Sequence, residues 1–152
     1  MILRLIIFLM LNFAALGLGA YFTGPGVTSD WYVNMNKAPW TPPGWVFGAA
    51  WSTIMICFSI YLTILWDKVS DKKFLVGLYA FQLLLNISWN PVFFKFQLAG
   101  PGVIVIGLLS IVVFYFLFHY WSKLKAISLL LLPYAVWIVI ATSLNVYAWL
   151  MN

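Results

Sequence analysis

Glutamate does not occur in this sequence, and aspartate occurs only at Asp30, Asp67 and Asp71. There is one cysteine, Cys57, and one histidine, His119. A lone cysteine forbids an internal disulfide and leaves the redox compartment open. No metal-ligating cluster, no nucleophile with its base and no phosphate-binding glycine loop can be assembled, so neither a metal nor a cofactor is expected. Charge is scarce altogether. Soluble domains carry roughly 25% charged residues, whereas this chain carries 7%, against 65% hydrophobic and 20% aromatic residues. With a mean hydropathy of +1.03, the chain needs lipid as its solvent.

The net charge of +5 does not point to nucleic acid, because the basic residues form no patch. Arg4, Lys37, Lys68, Lys72, Lys73, Lys95, Lys123 and Lys125 sit at the ends of apolar runs, where such residues orient a membrane protein. A span needs about 20 largely apolar residues. Reading between charges and turn residues predicts an all-α integral membrane bundle of five transmembrane helices in one domain, with spans over 3–22, 44–66, 74–94, 101–120 and 127–150. Thr23-Gly24-Pro25-Gly26 reads as the break after the first span, Pro42-Pro43-Gly44 as the opening of the second and Gly100-Pro101-Gly102 as that of the fourth. The third span is the least apolar, because Gln82, Asn86 and Asn90 interrupt it. Arg4 and the lysines of 67–73 and 121–126 place the N-terminus and those loops in the cytoplasm. The 23–43 loop, the 95–100 loop and the C-terminus then face outward. Residues 1–20 also have the build of a signal peptide, but Asn12 is out of place in a signal core and favours a retained first helix.

No span carries an acidic or basic residue near its centre. Proton relays and ion-coupled transporters place such residues there, so a pump is not expected. His119, at the end of the fourth span, reads as structural. What remains is amide and indole chemistry. Gln82, Asn86 and Asn90 share one helical stripe, flanked by Trp89 and Phe93. Trp137, Ala141 and Asn145 repeat the spacing on the fifth span. An amide facing hydrocarbon is unsatisfied and costly, so both stripes should face the bundle interior. They can serve there as helix locks or as part of a ligand site. Depth favours a site: Trp51 lies about 10 Å below the outer end of its span, Asn86 about 12 Å, and Asn90 and Asn145 about 6–8 Å. These residues outline a cavity in the outer half, walled by aromatics and roofed by a lid over 23–43.

Three blocks of the sequence together resemble the translocator-protein family (TspO/MBR), also called tryptophan-rich sensory proteins or peripheral benzodiazepine receptors. The first runs from Trp31-Tyr32 through Lys37-Ala38-Pro39-Trp40-Thr41-Pro42-Pro43-Gly44-Trp45 to Trp51. The second is Asn86-Ile87-Ser88-Trp89-Asn90-Pro91-Val92-Phe93-Phe94, and the third is Leu132-Pro133-Tyr134-Ala135-Val136-Trp137 followed by Ala141-Thr142-Ser143-Leu144-Asn145. The resemblance implies a five-helix bundle that dimerises and binds porphyrins such as protoporphyrin IX, benzodiazepine-site ligands and, in animal members, cholesterol. It implies a ligand site of Trp51, Asn86, Asn90, Trp137, Ala141 and Asn145, to which the stripe adds Trp89. The lid would hold Trp31, Tyr32, Pro39, Trp40, Pro42 and Pro43. The animal cholesterol motif is incomplete: Leu144 and Tyr147 are present, but 148–152 holds no basic residue, so sterol is not an expected partner. The short tail suits a bacterial member in the cell membrane.

Three functions compete at this point. The first is a receptor, sensor or carrier for porphyrins and similar apolar ligands. The second is an enzyme promoting light-dependent porphyrin degradation, with Trp51 and Trp137 as its redox-active indoles. The third is a scaffold, with amides locking helices and the small-residue stripe Gly44, Gly48 and Ser52 packing a neighbour.

Overall fold

The computed structural model describes residues 1–152 and is built of helices without a strand. Five long helices carry the fold: α1 (Ile2–Val27), α3 (Gly44–Lys68), α4 (Lys72–Asn90), α5 (Ala99–His119) and α7 (Leu132–Met151). Two short helices, α2 (Asp30–Asn34) and α6 (Trp121–Leu124), lie in the connections. Four stretches are long and apolar enough to cross a membrane: Ile2–Val27, Gly44–Lys68, Ala99–His119 and Trp121–Met151. The protein is therefore an α-helical membrane bundle. Helix α4 is not among those four, because it carries the three amides that lowered its hydropathy in the sequence.

Local chemistry sets where the helices begin. Ser29 Oγ accepts from the backbone N–H of Tyr32 and starts α2, and Asp71 Oδ1 accepts from that of Phe74 and starts α4. Pro42-Pro43 holds the chain extended up to Gly44, where α3 begins. At the other end of α3, the Lys72 ammonium donates to the carbonyls of Trp66 and Val69, which the helix leaves unpaired.

Three boundaries differ from those read in the sequence. Thr23-Gly24-Pro25-Gly26 does not break the chain, since α1 continues to Val27 with Pro25 inside it. The loop over α3 therefore starts near residue 28 rather than 23. Proline near the end of a helix forfeits one hydrogen bond, and the packing of Gly26 directly on Phe94 offsets that loss. The third span changes form at Pro91, where α4 gives way to a π-helical turn over Pro91–Lys95. The missing N–H of Pro91 and its bulk against the preceding turn break the α pattern, and Phe96 N–H instead reaches back to the Pro91 carbonyl at 2.9 Å. The fifth span opens as a 3₁₀ segment, Lys125–Leu131, before α7 begins beside Pro133. Pro133 has no N–H to donate back into the 3₁₀ segment and sits in the first turn of α7, where that N–H would lack a partner anyway.

One apolar core draws on all five long helices, with Phe58, Tyr61, Leu62, Leu65, Phe116 and Tyr134 almost wholly buried. Several polar groups inside it are paired across helices, as a low-dielectric interior favours. Asn12 Nδ2 donates to Ser59 Oγ at 2.8 Å while Tyr79 OH donates to Asn12 Oδ1 at 2.9 Å, tying α1, α3 and α4. Asn12 is fully buried, the inward placement its polarity demanded. His119 is exposed and stacks on Tyr115, with ring centroids 4.7 Å apart.

The two ends of the bundle are tied separately. Arg4 donates to Asp67 at 2.5 Å at one end. At the other, the backbone N–H of Asn36 donates to Asn152 Oδ1 at 2.9 Å.

Two glycines let α1 approach α4 and the π turn. An added methyl at Gly19 would lie 2.6 Å from Asn90 Nδ2, and one at Gly26 would collide with the Phe94 side chain. Gly26→Ala should therefore destabilise the protein by about 1–3 kcal/mol, although alanine is the better helix former. A thermal melt in detergent checks this, and an unchanged midpoint would mean that α1 and the π turn are not held in register.

Candidate functional site

Helices α1, α3 and α4 do not close on one another above the Asn12 node. Between them, under the 28–43 connection, lies a cavity of about 520 Å³, within the range of small-molecule sites. Trp51, Asn86, Trp89 and Asn90 line it, with Tyr32 and Pro42 of the lid. A second chamber of about 60 Å³ lies beside it towards α7, lined by Trp137, Ala141 and Asn145. Trp51, Trp89, Phe47, Phe94 and Tyr32 border both. The residues expected around one cavity are thus brought together, but around two adjoining chambers. Helix α7 packs too close behind Phe47 and Trp51 for a single space: the Phe47 and Trp137 rings meet edge to face at 5.2 Å, and Trp51 meets Tyr134 at 5.9 Å.

The larger chamber opens sideways. Ala20 and Val27 on α1 and Gly44 and Gly48 on α3 line it and are exposed. A side chain added at Gly44 or Gly48 would meet nothing within 4 Å. The small residues read as a packing stripe on α3 thus leave a gap against α1 at the level of the lid. Ser52, third in that stripe, does not line either chamber.

The lid residues divide. Tyr32 and Pro42 face the larger chamber, and Trp31 packs edge to face on Phe93 with centroids 5.4 Å apart. Pro39, Trp40 and Pro43 line neither chamber. Trp40 hooks over the outside of α7, where its indole N–H donates to Ser143 Oγ at 3.1 Å and its ring meets Tyr147 at 5.4 Å. Its role is to anchor the lid rather than to roof the cavity. Sequence reasoning missed Phe47, Gly19, Thr23, Lys37 and Thr41 as lining residues. Phe47 stands one turn before Trp51 on the same face, and Gly19 and Thr23 share a face of α1, so spacing alone held part of that signal.

Most of the amides are engaged within the protein. Gln82 Nε2 and Asn86 Nδ2 both donate to Tyr134 OH, at 2.7 and 3.0 Å. Asn90 Oδ1 accepts from Thr23 Oγ1 at 2.8 Å, and its Nδ2 donates to the Asn86 carbonyl at 3.1 Å. Asn145 Oδ1 accepts from Trp89 Nε1 at 3.0 Å, and its Nδ2 donates to the Ala141 carbonyl at 2.8 Å. The stripe on α4 therefore does the work of a helix lock, whatever else it does. Two buried groups stay without a partner here, Gln82 Oε1 and the indole N–H of Trp137. Unpaired buried donors are costly and uncommon, and this one lies on the wall of the smaller chamber. Burial raises the pKa of Tyr32 above the ordinary phenol value, so its hydroxyl stays protonated at neutral pH.

Comparison with known proteins places these features in one family. The TspO/MBR family pattern matches residues 6–150. The chain is 33% identical to Protein CrtK of Rhodobacter capsulatus over 137 residues, which cover 88% of this chain and 83% of that protein. It is 36% identical to Tryptophan-rich protein TspO of Archaeoglobus fulgidus over 136 residues, 88% of this chain and 87% of that one. It is also 30% identical to the human Translocator protein over 123 residues, 78% of this chain and 73% of the human one. A match that runs through α1, the lid and α7 alike makes this helical membrane protein a member of the TspO/MBR family.

Proposed function

We propose that this protein is a receptor or carrier that binds porphyrins such as protoporphyrin IX, or similar flat apolar molecules, in the chamber between α1, α3 and α4. One observation carries the reading: a cavity of about 520 Å³ walled by Trp51, Trp89, Phe47 and Phe94 lies inside a chain with no catalytic constellation. A planar ring system can stack on indole faces there, and the gap between α1 and α3 admits it from the bilayer. Asn86 and Asn90 line this chamber, while Trp137, Ala141 and Asn145 line the smaller one behind it. Translocator and sensory are the words borne by relatives' names, and both suit such a site.

All five long helices are taken to cross the membrane. Helix α4 supports this despite its amides, because those turn inward while Phe74, Val76, Phe81 and Leu84 are exposed. The N-terminus and the loops 67–73 and 121–126 are assigned to the cytoplasm, in a bacterial cell membrane. The pairing of Arg4 with Asp67 supports the shared side of the first two. A homodimer is part of the same reading, as is the single domain.

Titration of purified protein with protoporphyrin IX, followed by tryptophan quenching, tests the proposal. Wild type should quench saturably. Gly48→Trp should quench at least tenfold more weakly, because the new indole fills the chamber mouth. Its melting temperature should stay near that of wild type, since nothing lies within 4 Å of the added Cβ. Equal quenching of both proteins would remove ligand from this chamber. The indoles on its wall also give the enzyme reading a footing. A light-dependent absorbing product that vanishes in Trp51→Phe, with binding retained, would establish catalysis.

A further inference from the structure

We infer that the end of the bundle formed by the 67–73 and 121–131 connections is a docking surface for anionic lipid headgroups, with Lys123 and Lys125 at its centre, independently of what the chamber binds.

The basic residues are scattered in the sequence, but folding gathers six of the eight at this end. Arg4 pairs with Asp67 at the foot of α3, and Lys68, Lys72 and Lys73 follow directly. Helix α3 packs on both α6 and the 3₁₀ segment, which brings Lys123 and Lys125 to the same end. Only two acids stand there, and both are engaged: Asp67 with Arg4, and Asp71 with the first turn of α4. Lys72 is engaged as well, on the carbonyls at the end of α3 and over the Trp66 ring. Lys68, Lys73, Lys123 and Lys125 remain, all exposed and none in an ion pair. No acid follows Asp71 in the chain, so the 121–131 connection carries uncompensated positive charge.

The backbone at Lys125 is an independent sign. Its φ is 49° and its ψ −121°, a conformation that residues with a side chain rarely adopt and glycine takes freely. A lysine there holds backbone strain, and strain of this kind gathers at functional positions. Leu124 is buried beside it and fixes the turn to the core, whereas Lys125 is exposed. Packing inside the bundle therefore gives no reason for the side chain, and its charge does.

The bilayer names the partner. The turn lies between two stretches long and apolar enough to cross the membrane, and so at its surface. Trp121 is exposed beside the lysines, and Leu129 and Leu132 are exposed just beyond them. Indole at the headgroup level with aliphatic side chains below it is the layering of a membrane interface. An anion held by Lys123 and Lys125 there is a headgroup whose acyl chains can lie along the two leucines, contact that a soluble phosphate lacks.

Bimane at exposed Ser122, introduced as Ser122→Cys in a Cys57→Ala background, would report lipid at this turn in nanodiscs. The quencher would be phosphatidylglycerol or phosphatidylcholine carrying a nitroxide high on the acyl chain. Phosphatidylglycerol should reach half-quenching at a mole fraction about fivefold lower, the worth of one lysine near an anionic surface, and the preference should shrink with salt. Lys123→Gln with Lys125→Gln should bring the two lipids within about twofold. Lys95→Gln, at the other end of the bundle, should leave the preference intact. Lys125→Gly should lower the preference yet raise the melting temperature, because glycine relieves the strained backbone. Equal quenching by both lipids, or an unchanged preference in the double variant, would overturn the lipid surface. So would displacement of the lipid by glycerol phosphate beyond a chloride control of matched ionic strength, which would make this a site for soluble anions. A lower melting temperature in Lys125→Gly with the preference intact would overturn the role of Lys125 and assign it to the fold.

Discussion

Tyr134→Phe is expected to destabilise the protein by about 1–3 kcal/mol, out of proportion to the single oxygen removed. That hydroxyl takes hydrogen bonds from two buried amides, Gln82 at 2.7 Å and Asn86 at 3.0 Å. Without it, both amides lose a partner, and Gln82 already lacks one for its Oε1. Each abandoned buried group costs about 1–3 kcal/mol in water-soluble proteins, and membrane interiors average nearer 0.6 kcal/mol per side-chain bond, so the sum falls between those limits. The control is Trp137→Phe. Its indole N–H has no partner, so that change breaks no hydrogen bond and costs only packing, with an expected loss smaller than that of Tyr134→Phe. Thermal unfolding of the two variants in one detergent decides it. A larger loss for Trp137→Phe would mean that packing against Phe47 outweighs the amide lock.

Ligand affinity is expected to fall most on Trp51→Ala, by a factor of ten to about one hundred, the usual range for an aromatic anchor. Trp51 borders both chambers and stands between the larger one and Tyr134. Removing the ring deletes a stacking face and merges the chambers, so a flat molecule loses contact on one side. Trp51→Phe keeps a smaller face and should retain part of the affinity. The measurement is protoporphyrin IX quenching referred to the folded fraction, because truncating an indole also costs stability. Full affinity in folded Trp51→Ala would move the ring system elsewhere in the bundle.

Both variants bear on the scaffold reading. The α4 amides do lock helices, and Tyr134 is the shared partner that makes the lock. A scaffold has no need of a lined cavity of about 520 Å³ beside it. Scaffold and binding therefore separate on Gly48→Trp, which leaves the lock untouched.

Composition decided that lipid is the solvent, and apolar runs of about 20 residues decided that the chain crosses it as helices, the form that pairs every backbone group within its own segment. The i, i+4 spacing decided which faces of α4 and α7 turn inward: Gln82, Asn86, Trp137, Ala141 and Asn145 are buried, and Asn90 is half-buried. Helix ends set by proline were less legible. Pro25 stays inside α1 because Gly26 finds Phe94, whereas Pro91 gives a π turn and Pro133 opens a helix. The same residue acts in three ways, and the neighbour across the gap chooses among them. The division into two chambers, the docking of Trp40 on Ser143 and the place of Lys37 at the rim also came only from the tertiary structure. Each depends on how closely two helices distant in sequence approach. Periodicity carries the direction in which a side chain points, but the distance to what it meets is set by packing between helices.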